Sequence, residues 1–224
     1  MDNTTYFLEL DKRIATIKEL RSLCPSLATG MIGQTLFKED LFFCSSLNRG
    51  VQLSEGFVAL LQQRNLSCAG AILRLQLDNC MRTYAAFIAK DKDAVVDCVI
   101  HGKKISDQMD VDGKKMTDAH LKKKMVEFNA SFPDVYNQAS GYVHFSDMAF
   151  YETVVGIEGH TITWQIGQPL QERFNPLLLE AADAFIHFTK LHYKMLQAVI
   201  DRKQRYDEEH EDNDAWVAVK GEKQ

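Results

Sequence analysis

Residues 175–205 read NPLLLEAADAFIHFTKLHYKMLQAVIDRKQR, and this stretch has the most regular apolar pattern in the chain. Its apolar side chains recur every three or four positions, at Leu177, Ala181, Ala184, Phe188, Leu191, Met195 and Val199. That spacing places them on one side of an α helix, and Asn175 followed by Pro176 is typical of a helix start. The stretch therefore predicts a long amphipathic helix, reaching about Arg205, whose apolar side packs against other helices.

The same three-to-four-residue period occurs repeatedly before residue 145. It predicts helices at Tyr6 to Cys24, with Pro25 ending that helix, at about Thr35 to Arg64 and at Leu66 to about Lys90. A short helix is expected at Asp91 to Ile100, Thr117 can cap a basic helix that reaches about Asn129, and Pro133 starts another that ends near His144. The short break at Asn65 predicts that the second and third helices form an antiparallel hairpin. His101 to Met116 is rich in Lys, Asp and Gly and lacks a sustained apolar stripe, so we expect an exposed loop there.

Two later segments have the composition of strands. Met148 to Ile157 and Thr161 to Ile166 are rich in β-branched and aromatic residues, and they flank Glu158-Gly159-His160. This arrangement predicts a two-stranded β-hairpin, at about residues 148–167, that lies against the helices. The chain ends with an acidic run and then the apolar segment Ala215 to Val219, which predicts a mobile tail whose apolar segment docks.

These elements together predict a mainly all-α fold, an antiparallel helical bundle with one small inserted β-hairpin. A length of 224 residues, with 46% hydrophobic and 25% charged residues, suits one globular domain. We therefore assign residues 1–206 to a single helical-bundle domain and residues 207–224 to the acidic tail.

The cysteines and the first residues indicate an intracellular protein. The five cysteines include no C-x-x-C pair and suit buried thiols in a reducing compartment. Residues 1–5 lack the basic start and the apolar run of a secretory signal, and no stretch approaches the roughly 20 apolar residues of a membrane span. We expect a cytoplasmic protein with no membrane-embedded segment.

The histidines do not follow a metal-binding motif. The seven histidines include no H-E-x-x-H, and His187 and His192 are five positions apart, with His192 on the apolar stripe of its helix. Glycine-rich phosphate loops and the G-x-S-x-G nucleophile elbow do not occur in the sequence either. The sequence therefore predicts no metal site and no cofactor.

Seven lysines lie between residues 103 and 124 of a chain whose formal net charge is -5. They are Lys103, Lys104, Lys114, Lys115, Lys122, Lys123 and Lys124. Positive charge of this density can guide a polyanion such as RNA, but acidic neighbours dilute it and no aromatic residues alternate with the lysines to stack bases. A solvated face is the favoured interpretation, and RNA is a partner that we do not favour.

Polar residues that can act together occur on two of the predicted helices. Arg74, Asp78 and Arg82 follow each other at four-residue intervals, so Arg74 and Asp78 can form an ion pair beside the apolar stripe. Ser140 and His144 are also four apart, at the end of the helix that precedes the β-hairpin. If these helices pack together, the two sets meet.

Two interpretations of this set stay open. In the first, His144 moves a proton, Arg74 holds a phosphate and Asp78 orients one of them, which is acid-base chemistry on a phosphodiester. In the second, the same groups form a buried polar network that fixes helix register. The catalytic interpretation requires Arg74 and His144 to converge on an open cleft. The candidate binding residues beside them are Ser140, Tyr142 and Arg82.

The stretch Ala69-Gly70-Ala71-Ile72-Leu73-Arg74-Leu75-Gln76-Leu77-Asp78, followed by Ser140-Gly141-Tyr142-Val143-His144, resembles a family of uncharacterised bacterial helical proteins. That family is similar in style to the higher-eukaryote-and-prokaryote nucleotide-binding (HEPN) domains and to abortive-infection proteins of phage defence. The resemblance covers about Gln52 to Ser146. It implies a helical bundle, frequent dimerisation and membership of a toxin or defence system. Some such proteins cut RNA with an Arg and a His a few residues apart on one helix, a spacing that Arg74 and His144 do not have.

Three functional hypotheses follow. The leading one is a non-enzymatic interaction or regulatory protein of the bacterial-defence or stress kind, in which the Arg74, Asp78, Ser140 and His144 side chains form a structural cluster. The second is a metal-independent ribonuclease or nucleotide-processing enzyme that uses His144 and Arg74. The third is a small-ligand-binding protein with a pocket between the helices and the hairpin. We expect a homodimer, formed through a helix face or the hairpin edge, and a protein partner is a further expectation.

Overall fold

The computed structural model describes residues 3–144 and 147–210, with the side chains of all but residues 147–149 and 210. The α helices in this part of the chain are α1 (Asn3–Ser22), α2 (Cys24–Ile32), α3 (Lys38–Gln62), α4 (Leu66–Ile88), α5 (Lys92–Ile100), α6 (Asp118–Met125), α7 (Phe132–Val143), α8 (Asp147–Thr153) and α9 (Asn175–His210). Strands β1 (Val154–Glu158) and β2 (Thr161–Trp164) pair antiparallel between α8 and α9. The predicted fold class, a helical bundle with an inserted β-hairpin, is confirmed.

Helix α9 is the central element of the bundle, since α1, α2, α3 and α4 all pack on it. Of its predicted apolar side, Phe188, Met195 and Val199 are buried. The other four predicted residues are half-buried, Leu177, Ala181, Ala184 and Leu191. Phe57 of α3 stacks on Phe185 with ring centres 4.1 Å apart. Aromatic stacking of this kind adds to the energy of apolar burial, so it fixes the position of α3 along α9.

The N-terminal region contains one helix more than the sequence predicted. The helix expected to reach Cys24 ends at Ser22, and α2 begins at Cys24 with Pro25 in its first turn. Proline ends a preceding helix because it lacks an N–H, but it is equally favoured in the first turn of a new one. The prediction of one continuous helix rested on only the first of these two properties.

The end of α9 also differs from the prediction. The helix continues past Arg205 to His210, so the first residues assigned to the tail are helical. Asp207 accepts a hydrogen bond from the backbone N–H of Gln34 at 3.1 Å, which ties this end of α9 to the residues after α2. The predicted apolar segment of the tail, Ala215 to Val219, lies outside the described residues.

The segment from His101 to Met116, predicted to be an exposed loop, is partly packed into the bundle. Asp110 and Met116 are buried. The Asp110 carboxylate accepts the backbone N–H groups of Asp112 and Lys114, at 3.0 and 2.8 Å, and lies 2.6 Å from Nε2 of His120. The segment therefore folds around one buried carboxylate, a local polar arrangement that leaves no periodic apolar signal in the sequence.

Burial alone would raise the pKa of Asp110. The N–H of Lys114, together with His120 and the N–H of Asp112, outweighs that effect and holds the pKa of this carboxyl below its usual value. Asp110 is therefore ionised at neutral pH, and its charge holds the turn that follows it.

Helices α3 and α4 form the helical hairpin that the sequence predicted. Arg64 adopts a left-handed φ of 53° in the connection, and Oδ1 of Asn65 accepts the N–H of Cys68 in the first turn of α4. The Arg64 guanidinium donates to Oδ1 of Asn175 at 2.6 Å. This contact joins the α3–α4 connection to the start of α9.

The β-hairpin is shorter than predicted and projects from the bundle. Residues 147–153 form α8 and not the start of a strand, so β1 begins only at Val154. Val154 is buried, whereas the other strand residues are partly or fully exposed, which contradicts the expectation that the hairpin lies against the helices. The Arg173 guanidinium donates to the carbonyls of Tyr151 and Val154, at 2.9 and 2.5 Å, and so holds the base of the hairpin.

The cysteines are all free thiols, as the sequence predicted, but they are not all buried. Cys24, Cys80 and Cys98 are buried, whereas Cys68 is exposed.

Among the residues that the structure describes, none of the helices has the length and apolar character needed to span a bilayer.

Candidate functional site

Arg74 and Ser140, two of the predicted site residues, are in contact where α4 packs on α7. Nε of Arg74 donates to Oγ of Ser140 at 3.1 Å, and Nη2 donates to the Tyr136 hydroxyl. The guanidinium carbon lies 3.6 Å from the centre of the Tyr136 ring. Arg74 therefore stacks on Tyr136 and binds polar atoms of α7, which joins the two helices.

Tyr142 packs on α4 at a position where no side chain intervenes. A Cβ added at Gly70 would overlap the Tyr142 ring, 2.8 Å from Cε2 and closer still to Cγ and Cδ2. Burial raises the pKa of Tyr142 to about 12. The ring is thus a neutral packing group, and the absence of a side chain at Gly70 sets the close approach of α7 to α4.

Asp78 and Arg82 belong to a different group of charges, and the predicted ion pair between Arg74 and Asp78 is not formed. Asp78 lies 3.5 Å from Arg82 and 3.7 Å from Arg49, and Arg82 also pairs with Asp118 of α6. Tyr136 and Ser140 compete for Arg74 from across the helix interface. The i,i+4 spacing alone did not reveal that competition.

His144 is exposed at the C-terminal end of α7. Because Gly70 meets Tyr142 and Arg74 meets Ser140, the two helices run antiparallel and His144 lies beyond the level of Gly70. Asp78 lies about two turns from Gly70 in the opposite direction, so His144 and Asp78 are separated by about 15 Å along the helix axes. The candidate catalytic residues Arg74, Asp78 and His144 therefore do not converge on one cleft.

Asp78 and Arg82 instead line a groove of about 620 Å³, here named the α3–α4 groove. Its walls come from α3 and α4, and residues 102–106 close it together with the end of α5 and the start of α6. Phe42, Val99 and Ile105 give it an apolar part. The groove thus combines apolar surface with convergent polar groups, which is typical of small-molecule sites.

The charged lining of the α3–α4 groove is mainly basic. It contains Arg49, Arg82, Lys103 and Lys104 against the two carboxylates of Asp78 and Asp118. Lys103 and Lys104 are exposed, and Nη1 of Arg82 is buried without a hydrogen-bond partner among the described residues. An excess of positive charge within an acidic chain favours an anionic ligand at this place.

Most of the seven clustered lysines lie outside the lining of the α3–α4 groove. Only Lys103 and Lys104 line the α3–α4 groove. Lys122 donates to Asn137 at 2.9 Å and Lys124 pairs with Asp112 at 3.3 Å, so two others are engaged in local contacts. This distribution agrees with the interpretation of a largely solvated face.

Behind the groove, Ser46 connects three helices through its hydroxyl. Ser46 Oγ lies 2.8 Å from Nε2 of His192 on α9 and 2.9 Å from Oγ1 of Thr83 on α4. His192 is fully buried, and burial lowers its pKa to about 4, so the ring is neutral at physiological pH. A neutral ring can accept the Ser46 proton at Nε2 while Nδ1 carries the hydrogen.

The Ser46–His192 pair resembles a nucleophile and its base in distance, but its electrostatics do not suit catalysis. Nδ1 of His192 has no hydrogen-bond partner among the described residues, so no carboxylate orients the ring there. A base with a pKa near 4 accepts a proton weakly at neutral pH. The pair therefore acts as a polar link inside the core.

A larger open groove, of about 1040 Å³, lies between the start of α3 and the residues that follow α4. Its charged lining contains three lysines, Lys38, Lys90 and Lys92, against four acids, Glu39, Asp91, Asp93 and Asp107. Opposite charges that nearly cancel select no sign of ligand. The smaller α3–α4 groove is therefore the better candidate site.

Several residues of the candidate site were missed from the sequence. Arg49 and Ser46 of α3 were not among the residues predicted from the sequence, and the contact of Ser46 with His192 depends on packing.

The sequence also contains a pair of one arginine and one histidine that are five positions apart, Arg205 and His210. It lies outside the region of resemblance, at the end of α9.

Comparisons with known proteins add no relative to this picture, because neither a family model, nor a curated protein, nor a solved structure matches the chain.

Proposed function

We propose that the protein is a non-enzymatic regulatory module, and that its α3–α4 groove binds a small anionic ligand with an apolar part. The observation that carries this proposal is the lining of the groove, where four basic side chains face two acidic ones beside an apolar surface. The ligand class follows from that lining. A phosphate or carboxylate matches Arg49 and Lys103, and an aromatic or aliphatic group matches Phe42 and Ile105.

The contacts of the predicted catalytic residues support a non-enzymatic role. Arg74 is engaged with Tyr136 and Ser140, whereas His144 is exposed at the end of α7. The polar groups near the groove also have structural partners, since Asn79 donates to the carbonyl of Ser46 at 3.1 Å. The groove therefore supplies binding groups rather than a positioned acid and base.

Phenyl phosphate is a suitable probe because it joins one phosphate to one aromatic ring. Isothermal titration should give saturable binding with a Kd of roughly 1 mM, the affinity expected of a ligand of this size. Phenol, which lacks the anion, should bind at least tenfold more weakly. If phenyl phosphate showed no saturable binding, or phenol bound equally well, the proposed ligand class would be wrong.

Two charge-reversal variants distinguish binding in the α3–α4 groove from a general effect of the protein's net charge. The variant Lys103→Glu/Lys104→Glu should raise the Kd for phenyl phosphate at least tenfold, because it removes two cations from the lining. Lys114→Glu/Lys123→Glu makes the same change in net charge at exposed positions outside the lining and should leave the Kd within about twofold. Equal effects of both variants would contradict a site in the α3–α4 groove.

The resemblance to abortive-infection proteins extends this proposal to a biological class. A regulatory module of defence or stress systems that responds to a small anionic signal needs a binding groove and no catalytic residues. The helical bundle and the α3–α4 groove are compatible with such a role.

A metal-independent ribonuclease is the second candidate, and the spacing of Arg205 and His210 at the end of α9 favours it. Purified protein should cleave total RNA in the presence of a chelator if this candidate holds, and His210→Ala should lose the activity. The original candidate residue is tested in parallel with His144→Ala. Cleavage by all three proteins alike would indicate contamination, and cleavage by none would exclude the ribonuclease.

A further inference from the structure

The β-hairpin has one apolar face that the rest of the described chain does not cover. The register pairs Ile157 with Ile162, and Trp164 follows two residues later on the same side of the sheet. These three side chains are 63%, 55% and 68% exposed, and Ile166 beyond them is 81% exposed. The opposite side of the hairpin carries Gly156, Glu158, Thr161 and Thr163.

An isolated two-stranded hairpin is marginally stable in water, so an uncovered apolar face of this kind needs an occupant. We propose that the occupant is the same face of a second copy of this chain, so that two hairpins pack face to face about a twofold axis. A twofold interface uses one surface twice, and a flat uncharged face satisfies that requirement without unpaired charges.

The exposed area agrees with a dimer. Ile157, Ile162, Trp164 and Ile166 together expose on the order of 500 Å², taking a large side chain as roughly 150–250 Å². Packed against the same face of a second copy, this surface would bury roughly 1,000 Å² in total, which is the lower limit for a specific but weak interface.

A lipid surface is a poorer occupant than a second copy. Residues 154–166 contain Glu158 as their only acid and neither Lys nor Arg, so the hairpin has no attraction for anionic headgroups. The apolar face therefore fits a surface as uncharged as itself.

Sedimentation velocity on the full chain tests the proposal. The wild type should dimerise with a Kd of roughly 10 µM, as expected of a modest interface. Ile162→Lys and Trp164→Lys place a charge on the apolar face and should each raise the Kd at least tenfold. Thr161→Lys and Thr163→Lys are the matched controls on the opposite face and should leave the Kd within about threefold.

Circular dichroism of each variant shows whether the bundle is intact, because the hairpin contributes little to the helical signal. The proposal is overturned if the wild type stays monomeric at about ten times the expected Kd. It is equally overturned if the folded Ile162→Lys and Trp164→Lys variants dimerise like the wild type, which would place the interface elsewhere. Equal loss of dimer in Thr163→Lys would indicate pairing through a strand edge and contradict face-to-face packing.

Discussion

His192 illustrates how a single polar side chain serves this core. The sequence placed it on the apolar stripe of the last helix, and the structure shows it fully buried with Ser46 as its hydrogen-bond partner. Periodicity predicted its position because a helix repeats every 3.6 residues. Its partner lies 146 positions away in the sequence, so no local pattern could have identified Ser46.

The burial of His192 predicts an acid-sensitive stability. Its pKa is about 4 in the native protein and near 6.5 when unfolded, so between these pH values the unfolded chain binds a proton that the native chain does not. Lowering the pH from about 6.5 to about 4 should therefore reduce the free energy of unfolding by roughly 3 kcal/mol through this residue. Above about pH 6.5 the His192 ring is neutral in both the native and the unfolded chain, so it adds no pH dependence to the free energy of unfolding.

Urea unfolding followed by circular dichroism at several pH values measures this dependence. In His192→Gln the free energy of unfolding should fall less steeply between about pH 6.5 and pH 4, because roughly one proton fewer is taken up on unfolding. The variant is also less stable than the wild type at neutral pH. His144→Gln is the matched control for the loss of one histidine, because that residue is exposed at the end of α7. Parallel slopes in the wild type and His192→Gln would contradict a neutral buried histidine.

At the scale of the elements, helix positions were predictable and helix contacts were not. Apolar spacing predicted α3, α4 and α9 to within about five residues, since amphipathic helices show their buried side directly. Thr117 as a cap and Pro133 as a helix start predicted α6 and α7. The first strand was wrong at its start because residues 148–153 have strand-like composition and yet form α8. Arg74 was expected to bind Asp78 on its own helix, and instead it binds Tyr136 and Ser140 on α7.

The contact between α4 and α7 depends on Gly70. In Gly70→Ala the new Cβ would overlap the Tyr142 ring, so α7 must shift, and the free energy of unfolding should fall by about 1–3 kcal/mol. Gly56→Ala in α3 is the matched control. No atom lies within 4 Å of a Cβ there, so alanine should stabilise the helix by about 0.5–1 kcal/mol.

Thermal unfolding of both variants checks this prediction. The expected result is a lower Tm for Gly70→Ala and a raised Tm for Gly56→Ala. If both substitutions raised the Tm, the close approach of Tyr142 to α4 would be refuted.

At the scale of the whole molecule, the bundle turns a dispersed set of charges into one binding surface. Arg49 comes from α3, Arg82 from α4, and Lys103 from the segment after α5, so the α3–α4 groove exists only when three elements pack together. Arg82 and Lys103 were predicted for separate reasons, as a neighbour of Asp78 and as one of the clustered lysines, and nothing in the sequence joins them. The hypothesis of a ligand pocket placed it between the helices and the hairpin, whereas the lining of the α3–α4 groove contains no hairpin residue. The location and the basic lining of the groove depend on tertiary packing.

The central claim is that an anionic ligand occupies the α3–α4 groove, and a crystal structure of the protein grown with saturating phenyl phosphate tests it most directly. We expect density for the phosphate within hydrogen-bond distance of Arg49, Lys103 or Lys104, with the ring against Phe42 and Ile105. An empty α3–α4 groove, or phenyl phosphate bound beside Arg74 and His144, would contradict the claim.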